Sequence, residues 1–228
     1  MRRLLASLVI ASFLLLPTRS IQAVSQAASY PAILDSIAPI QHLEFNGETG
    51  DLILANHCTA GFINQQKRYW LTAAHCVGPV GNKEVINGFE GIVIASNLEV
   101  DLAIVETKHY MEPRKALKLA SKPAKWFDRV KTAGFSFGYP FPFYFEGKVI
   151  TPSFTFPDGV APNLTSQTFT IFDMPVAGGQ SGSPILNKDG KLVSVMQIGY
   201  GMQGGFGVIS GGATLKQLKG FAANYFGG

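Results

Sequence analysis

The chain of 228 residues carries a formal net charge of +4, and 46% of its residues are hydrophobic against 15% that are charged. Three arginines and no acidic residue lie in the first 23 positions, so removing that segment would lower the charge to 4 − 3 = +1. The remainder lacks the basic character that nucleic-acid binding requires, and its roughly 200 residues suffice for one large β domain or two small ones.

The N-terminal segment, residues 1–23, has the layout of a secretory signal peptide. Two arginines precede an apolar run from Leu4 to Leu16, and a short polar stretch then ends in small residues, with cleavage possible up to residue 28. The apolar run is shorter than the about 18–20 residues that span a bilayer. We expect a secreted or periplasmic protein without stable membrane association, in which residues 24–40 form an N-terminal extension.

Short runs of β-like composition dominate the rest of the chain, and their spacing favours a sandwich or a barrel. They are 51–55, 60–63, 69–73, 91–95, 102–105, 148–151, 168–172, 192–198 and 206–209. A lysine-rich connection at 108–125 divides the chain into two halves near residue 120. A final helix is predicted after Thr214, a suitable capping residue, because apolar residues recur there at helical intervals. These are Leu215, Leu218, Ala222 and Tyr225.

Nine Phe and Tyr side chains fall within residues 135–156, where prolines interrupt the sequence. A core strand followed by a long loop accounts for this composition. An aromatic wall beside a binding cleft is the alternative interpretation.

The two cysteines of the chain are Cys58 and Cys76, and an exported protein with one such pair most simply forms one disulfide. Each cysteine follows a histidine, His57 or His75, and the four together are the ligand set of a structural zinc site. Adjacent residues on a strand point to opposite faces, however, so these four side chains are not expected to converge on one ion. We therefore predict no metal.

Residues 178–184 read Gly-Gly-Gln-Ser-Gly-Ser-Pro and present the hydroxyl of Ser181 within a glycine-rich bend. Glycine adds nothing to a core and weakens a strand, so this density favours positive φ angles or a close approach to a ligand. The pattern indicates a nucleophile with backbone N–H groups facing its target, although ordinary surface turns have a similar composition.

A serine hydroxyl needs a base to remove its proton, and the base needs a third group that orients it. His75 follows a strand-like run that ends in small residues, and Asp101 lies at the mouth of an apolar run further along the chain. Three other carboxylates are available, those of Asp51, Asp128 and Asp173. Chain order and the apolar strand behind it favour Asp101.

Together these motifs resemble the trypsin/chymotrypsin-like serine proteases. Thr-Ala-Ala-His-Cys at 72–76, Asp-Leu-Ala-Ile at 101–104 and Gly-Gln-Ser-Gly-Ser-Pro at 179–184 stand in that family's order of histidine, aspartate and serine. The resemblance covers nearly all of the mature chain. With Gly-Tyr-Pro at 138–140, the motifs look closest to the bacterial secreted branch near the glutamyl endopeptidases.

The resemblance implies an all-β fold of two six-stranded Greek-key β-barrels with a C-terminal helix and the active site between the barrels. The N-terminal barrel, residues 41–118, would carry His75 and Asp101, and the C-terminal barrel, residues 119–228, would carry Ser181. The family's pairing again implies a disulfide between Cys58 and Cys76.

The same resemblance assigns the oxyanion hole to the backbone N–H groups of Gly179 and Ser181, which would stabilise developing negative charge. Gln180 stands where digestive members of the family carry an aspartate that binds a newly formed N-terminal ammonium. A neutral amide cannot form that ion pair, so we expect no activation of that kind.

The resemblance also places a specificity pocket in segments that contain no acidic residue. A Lys or Arg side chain would enter without a counter-charge, at a cost in desolvation. Glutamyl endopeptidases use a histidine and a hydroxyl residue where Met196 and Val176 stand, which puts a glutamate preference in doubt. We expect a small or apolar residue before the scissile bond, with the substrate backbone pairing along 197–199. The pocket residues are Pro175, Val176, Ala177, Gln197, Ile198, Gly199 and Gly207.

The sequence therefore predicts a monomeric, secreted serine endopeptidase that hydrolyses polypeptides through an acyl-enzyme and needs no cofactor. The alternative is a secreted binding protein that keeps the protease fold without its chemistry. Such proteins usually lack a member of the triad, and all three residue types are present in this chain.

Overall fold

The protein is described by a computed structural model that covers residues 31–45, 47–49, 51–108, 114–157, 167–200 and 206–227. The chain divides into two units, Met1–Tyr30 and Pro31–Gly228, and all the described residues belong to the second. The predicted signal peptide and the first residues of the predicted extension lie outside the described ranges. Within those ranges no helix is long and apolar enough to cross a membrane.

Six antiparallel strands form a first closed barrel. They are β1 (Ile37–Phe45), β2 (Leu52–Asn64), β3 (Tyr69–Thr72), β4 (Lys83–Ile86), β5 (Phe89–Asn97) and β6 (Leu102–Thr107). Their order around the barrel is β1-β2-β3-β6-β5-β4. Each strand contributes apolar side chains to the interior because inward and outward positions alternate along it. The core contains Ile40, Ala60, Trp70, Ile86, Val93 and Val105.

Eight further strands follow in the second half. They are β7 (Arg129–Gly134), β8 (Phe143–Thr155), β9 (Thr168–Phe172), β10 (Val176–Ala177), β11 (Pro184–Asn187), β12 (Leu192–Tyr200), β13 (Phe206–Gly207) and β14 (Ile209–Ala213). Six of them close a second barrel in the order β11-β12-β14-β9-β8-β7, and β10 pairs with β13 as a separate ribbon. Two six-stranded barrels are thus confirmed.

The first barrel begins earlier than the sequence predicts. Residues 37–40, which the sequence assigned to the N-terminal extension, belong to β1 and pair with β2. Pro39 conceals this strand in the sequence because proline is unusual within a sheet. The predicted runs 51–55 and 60–63 are two parts of the single strand β2. Strands β4, β7 and β11 were not predicted, since they are short and begin with a charged residue or a proline.

The predicted C-terminal helix is α1 (Leu215–Ala222), and a 3₁₀ turn (Ala223–Tyr225) follows it. Thr214 Oγ1 accepts a hydrogen bond from the Gln217 N–H at 3.3 Å, and Gln217 Oε1 accepts one from the Thr214 N–H at 2.7 Å. This reciprocal capping box satisfies two backbone donors at the start of the helix. The helix buries Leu215, Leu218 and Ala222, as the spacing predicts.

The aromatic segment combines features of both interpretations. Phe135 is buried in the core, whereas the rings of Tyr139, Phe141 and Phe143 contact one another with centroids 5.4–5.9 Å apart. The Phe137 N–H donates to the carbonyl of Gly178 at 2.7 Å, which holds this loop against the serine bend. The segment therefore supplies a surface loop next to the candidate site and the barrel strand β8, in which Val149 alone is buried.

Candidate active site

A disulfide fixes the turn that carries His75. Strand β3 ends at Thr72, and a 3₁₀ turn, Ala74–Cys76, then presents the imidazole. Cys76 is bonded to Cys58 on β2, so the disulfide attaches the turn to this strand directly after the histidine, and the pairing of β3 with β2 attaches it before the histidine. Because both sulfurs are in the disulfide, they are not thiolate ligands, and the zinc alternative loses two of its four ligands.

His75 and Asp101 are joined by two hydrogen bonds. The ring atom Nδ1 lies 2.7 Å from Asp101 Oδ2, and the backbone N–H of His75 donates to Oδ1 at 2.9 Å. The His75 side chain is 42% exposed, whereas that of Asp101 is 12% exposed. The buried carboxylate therefore orients an accessible ring, which leaves Nε2 free to face a substrate or nucleophile.

Gln197 supports Asp101 from the second barrel, a role that the sequence did not reveal. Asp101 has a φ of 49°, an unusual left-handed conformation for a residue with a side chain. The Gln197 Nε2 atom donates to the carbonyls of Val100 and Asp101, each at 2.7 Å. These bonds hold the strained backbone that turns the carboxylate toward His75.

The three competing aspartates lie elsewhere. Asp51 is exposed, Asp128 accepts from the backbone N–H of Lys125, and Asp173 accepts from the backbone N–H of Lys148. Among the described acidic side chains, Asp101 alone is hydrogen-bonded to His75.

Two glycines give the serine bend its shape. Gly179 and Gly182 have φ angles of 94° and 83°, in the region that favours glycine. A Cβ on Gly179 would lie 2.3 Å from the carbonyl oxygen of Phe135, and one on Gly182 would lie 2.1 Å from that of Thr59. The bend thus requires glycine at both positions for conformational and for steric reasons.

The bend leaves the two N–H groups of the predicted oxyanion hole available. The N–H groups of Gln180, Gly182 and Ser183 donate to backbone carbonyls at 2.8–3.1 Å. Within the described part of the chain, those of Gly179 and Ser181 donate to no acceptor. Two unpaired donors on either side of Gln180 are therefore available for the predicted role of an oxyanion hole.

Thr59 connects the bend to the first barrel, again without a signal in the sequence. Its N–H donates to the carbonyl of Ser181 at 2.9 Å, and its hydroxyl donates to that of Gly179 at 3.0 Å. Since Thr59 follows Cys58, the serine lies near the disulfide and His75. The Ser181 hydroxyl itself makes no hydrogen bond to His75 among the described contacts, and such bonds often tighten only when substrate binds.

Gln180 is fully buried and turns back into its own loop. Its Oε1 accepts from the N–H of Ala177 at 3.3 Å. The amide oxygen at this position therefore bonds within the bend, while the buried Nε2 has no hydrogen-bond partner among the described residues.

The residues predicted for the specificity pocket are only partly brought together. Val176 pairs with Gly207 across the β10–β13 ribbon, beside Ala177. Pro175 is exposed, and the Gln197 side chain is committed to the Asp101 backbone. Ile198 lines an outward-facing apolar groove of about 500 Å³. Among the described strands, β14 alone pairs with residues 198–200 of β12, so no described strand occupies the other edge, where an extended peptide could add.

His57 is a half-buried histidine beside the oxyanion bend. Its Cδ2 lies 3.3 Å from the point where a Cβ on Gly179 would be. Both ring nitrogens are shielded from solvent and have no hydrogen-bond partner among the described residues. Burial lowers the pKa of His57 below its usual 6.5, so the folded protein favours the neutral ring.

We expect the variant His57→Phe to reduce the acid sensitivity of the fold. Below about pH 6.5 the ring binds a proton in the unfolded chain but stays neutral in the folded protein until the pH reaches its lower folded pKa. The free energy of unfolding therefore decreases as the pH falls from about 6.5 to the folded pKa. Phenylalanine removes this contribution without removing a hydrogen bond. Urea unfolding at pH 7.5 and pH 5.5 measures it: the variant should gain stability relative to the wild type at the lower pH. An equal stability difference at both values would contradict the assignment.

A second histidine, His42, is paired with a buried glutamate. His42 on β1 faces Glu84 on β4, and its Nδ1 lies 3.0 Å from both carboxylate oxygens. Glu84 also accepts from the N–H of Gly78 at 2.9 Å, which ties the loop after His75 to the barrel. Burial raises the pKa of the Glu84 carboxyl, while Gly78 and His42 act in the opposite direction.

Residues 58–195, more than half of the chain, match the family described as trypsin-like peptidase domain, and the chain belongs to this family. The matched segment includes all three predicted triad residues. No curated protein matches the chain significantly.

Solved structures of the Rv3671c protease from M. tuberculosis have a similar fold. An inactive form is 20% identical, with a TM-score of 0.66 over 85% of this chain and 90% of the other. The active form is also 20% identical and has a TM-score of 0.66 over 84% and 81% of the two chains. A serine-to-alanine mutant of the same protease, from strain H37Rv, is 19% identical, with a TM-score of 0.67 over 87% and 91%. At this identity the likeness establishes the chymotrypsin-like fold alone.

Proposed function

We propose that the protein is a secreted serine endopeptidase with Ser181 as nucleophile, His75 as general base and Asp101 as orienting acid. The observation that carries the proposal is the 2.7 Å hydrogen bond between His75 Nδ1 and the Asp101 carboxylate, on a turn fixed beside the serine bend. Membership in the trypsin-like peptidase family supports the chemistry.

In this mechanism the Ser181 oxygen attacks the carbonyl carbon of the peptide bond while its proton moves to His75 Nε2. The C–N bond then breaks, and the ring returns the proton to the departing amine. Water repeats the sequence on the acyl-enzyme and regenerates the serine. During both acylation and deacylation the N–H groups of Gly179 and Ser181 would bind the oxyanion. One such donor typically lowers the activation barrier by about 3 kcal/mol.

We further propose that the residue before the scissile bond is small or apolar. Val176 and Ala177 on the ribbon are buried and uncharged, and Met196 is fully buried. These residues do not support a charged substrate side chain. The resemblance to the glutamyl endopeptidases is therefore limited to the sequence motifs, and we do not propose their preference for glutamate.

A peptide library combined with a fluorophosphonate probe tests the proposal. We expect cleavage after small or apolar residues and a covalent probe adduct that peptide mapping locates on Ser181. The adduct forms because phosphonylation requires the same activated hydroxyl and oxyanion donors as acylation.

Ser183 offers a matched control in the same bend, since its side chain is buried and its hydroxyl has no hydrogen-bond partner among the described residues. Ser181→Ala should lose labelling and cleavage, whereas Ser183→Ala should retain both. A folded wild-type protein that neither reacts with the probe nor cleaves any peptide would favour a binding protein instead. Cleavage mainly after Arg, Lys or Glu would contradict the proposed pocket.

A further inference from the structure

A polar cavity of about 660 Å³ lies beside His75. Its walls come from the end of β1, from β2 and from the loop after the histidine, and none of the residues predicted for the specificity pocket lines it. The lining includes His42, Glu44, Asn56, Gly78 and Asn82. Because the acyl part of a substrate would pair along β12, this cavity lies on the side from which the leaving amine departs. We call it the leaving-side cavity.

The cavity has rigid walls. Asn56 Nδ2 donates to the carbonyl of His75 at 2.9 Å, which joins β2 to the turn of the histidine. Glu84, behind the lining, accepts from both Gly78 and His42 and so fixes the loop against β1. The cavity is therefore held in place relative to the imidazole by hydrogen bonds on two sides.

The cavity has a negative charge. Two carboxylates, those of Glu44 and Glu84, contact the single imidazole of His42, so at least one negative charge remains whether or not the ring carries a proton. The Glu44 side chain is 60% exposed, and its Oε1 lies 3.2 Å from His42 Nε2. No lysine or arginine is among the described residues of the lining, and Lys83 is paired with Glu90 at 3.3 Å. One oriented, accessible carboxylate thus faces a cavity whose described lining contains no lysine or arginine.

We propose that the leaving-side cavity binds a lysine or arginine side chain of the substrate, and that Glu44 determines this preference. The inference rests on the proposed endopeptidase function and adds the class of substrate. An extended peptide advances about 3.3–3.6 Å per residue, so a cavity that includes His75 is within reach of the first three or so residues after the scissile bond. The carboxylate of Glu44 would pair with the ammonium or guanidinium group at the rim.

A set of internally quenched peptides tests this inference. The peptides share one residue before the scissile bond and place Lys, Arg, Gln or Glu at each of the three following positions in turn. At one position we expect kcat/KM for Lys or Arg to exceed that for Gln by about 1.5- to 5-fold, the range of a partly exposed ion pair. The preference should decrease when salt is raised from about 50 mM to about 500 mM, because screening shortens the reach of the charge.

The variant Glu44→Gln should lower the Lys-to-Gln ratio to near one, whereas Asp189→Asn, which removes a remote exposed carboxylate, should leave it unchanged. A merely structural role of Glu44 would lower the rates for all peptides and keep the ratio. Cleavage without any preference for charge at the three positions would overturn the inference and leave the proposed hydrolysis standing. If the enzyme cleaves none of the peptides, both fail.

Discussion

Replacement of Ser181 by alanine is expected to lower kcat about 10⁶-fold, and replacement of His75 by alanine should have a similar effect. In the proposed mechanism the hydroxyl forms the acyl-enzyme, and a serine hydroxyl is a weak nucleophile without an adjacent base. Because the two groups act as one unit, the double variant should be no slower than either single variant. Turnover of the best library peptide by the three purified variants measures this.

Ser183→Ala is the control for changes in the bend that leave the chemistry intact, and thermal unfolding of each variant checks the fold. Independent, multiplicative losses in the double variant would show that the two residues do not act on the same step. A Ser181→Ala variant with substantial turnover would exclude this serine as the nucleophile.

Asp101→Asn should lower kcat by about 10⁴-fold while the protein remains folded. Both carboxylate oxygens accept hydrogen bonds from His75, one from the ring and one from the backbone N–H. An asparagine has only one acceptor oxygen, so its NH₂ group would have to face either the backbone N–H or the ring Nδ1 of His75. Facing Nδ1, it would favour the tautomer that carries the proton on Nε2, which cannot accept the proton of the serine. Peptide turnover, together with thermal unfolding, measures the effect.

Asp51→Asn provides the matched control, since Asp51 is an exposed aspartate on the connection between β1 and β2. It should have normal activity. If Asp101→Asn were as active as this control, another group would have to orient the imidazole.

The sequence predicted the parts of the fold and site that depend on local pattern. The runs that became β3, β6 and β9 were evident from their apolar composition, and the helix after Thr214 from its spacing and cap. The serine bend was evident because its density of glycines predicted positive φ angles, and Gly179 and Gly182 have them. A local motif carries such information within a few residues.

The sequence did not predict the partners that come from distant segments. Gln197 supports Asp101 from 96 residues away, and the pair of His42 and Glu84 depends on the register of β1 against β4. Pairs of this kind are fixed by how the strands close into barrels, which no single segment encodes. One clue was available, because Glu84 occupies an inward position of a short strand and a buried carboxylate needs a partner.

Thr59 has a consequence for how the enzyme loses activity. Its backbone and hydroxyl link the first barrel to the carbonyls of Ser181 and Gly179, and the N–H of Phe135 also donates to its hydroxyl at 2.9 Å. Hydrogen bonds weaken steeply when their geometry is disturbed. A small relative displacement of the two barrels would therefore separate the proposed nucleophile from its proposed base before either barrel unfolds. We expect peptide turnover to decrease earlier than the circular dichroism signal when the contact between the barrels is disturbed.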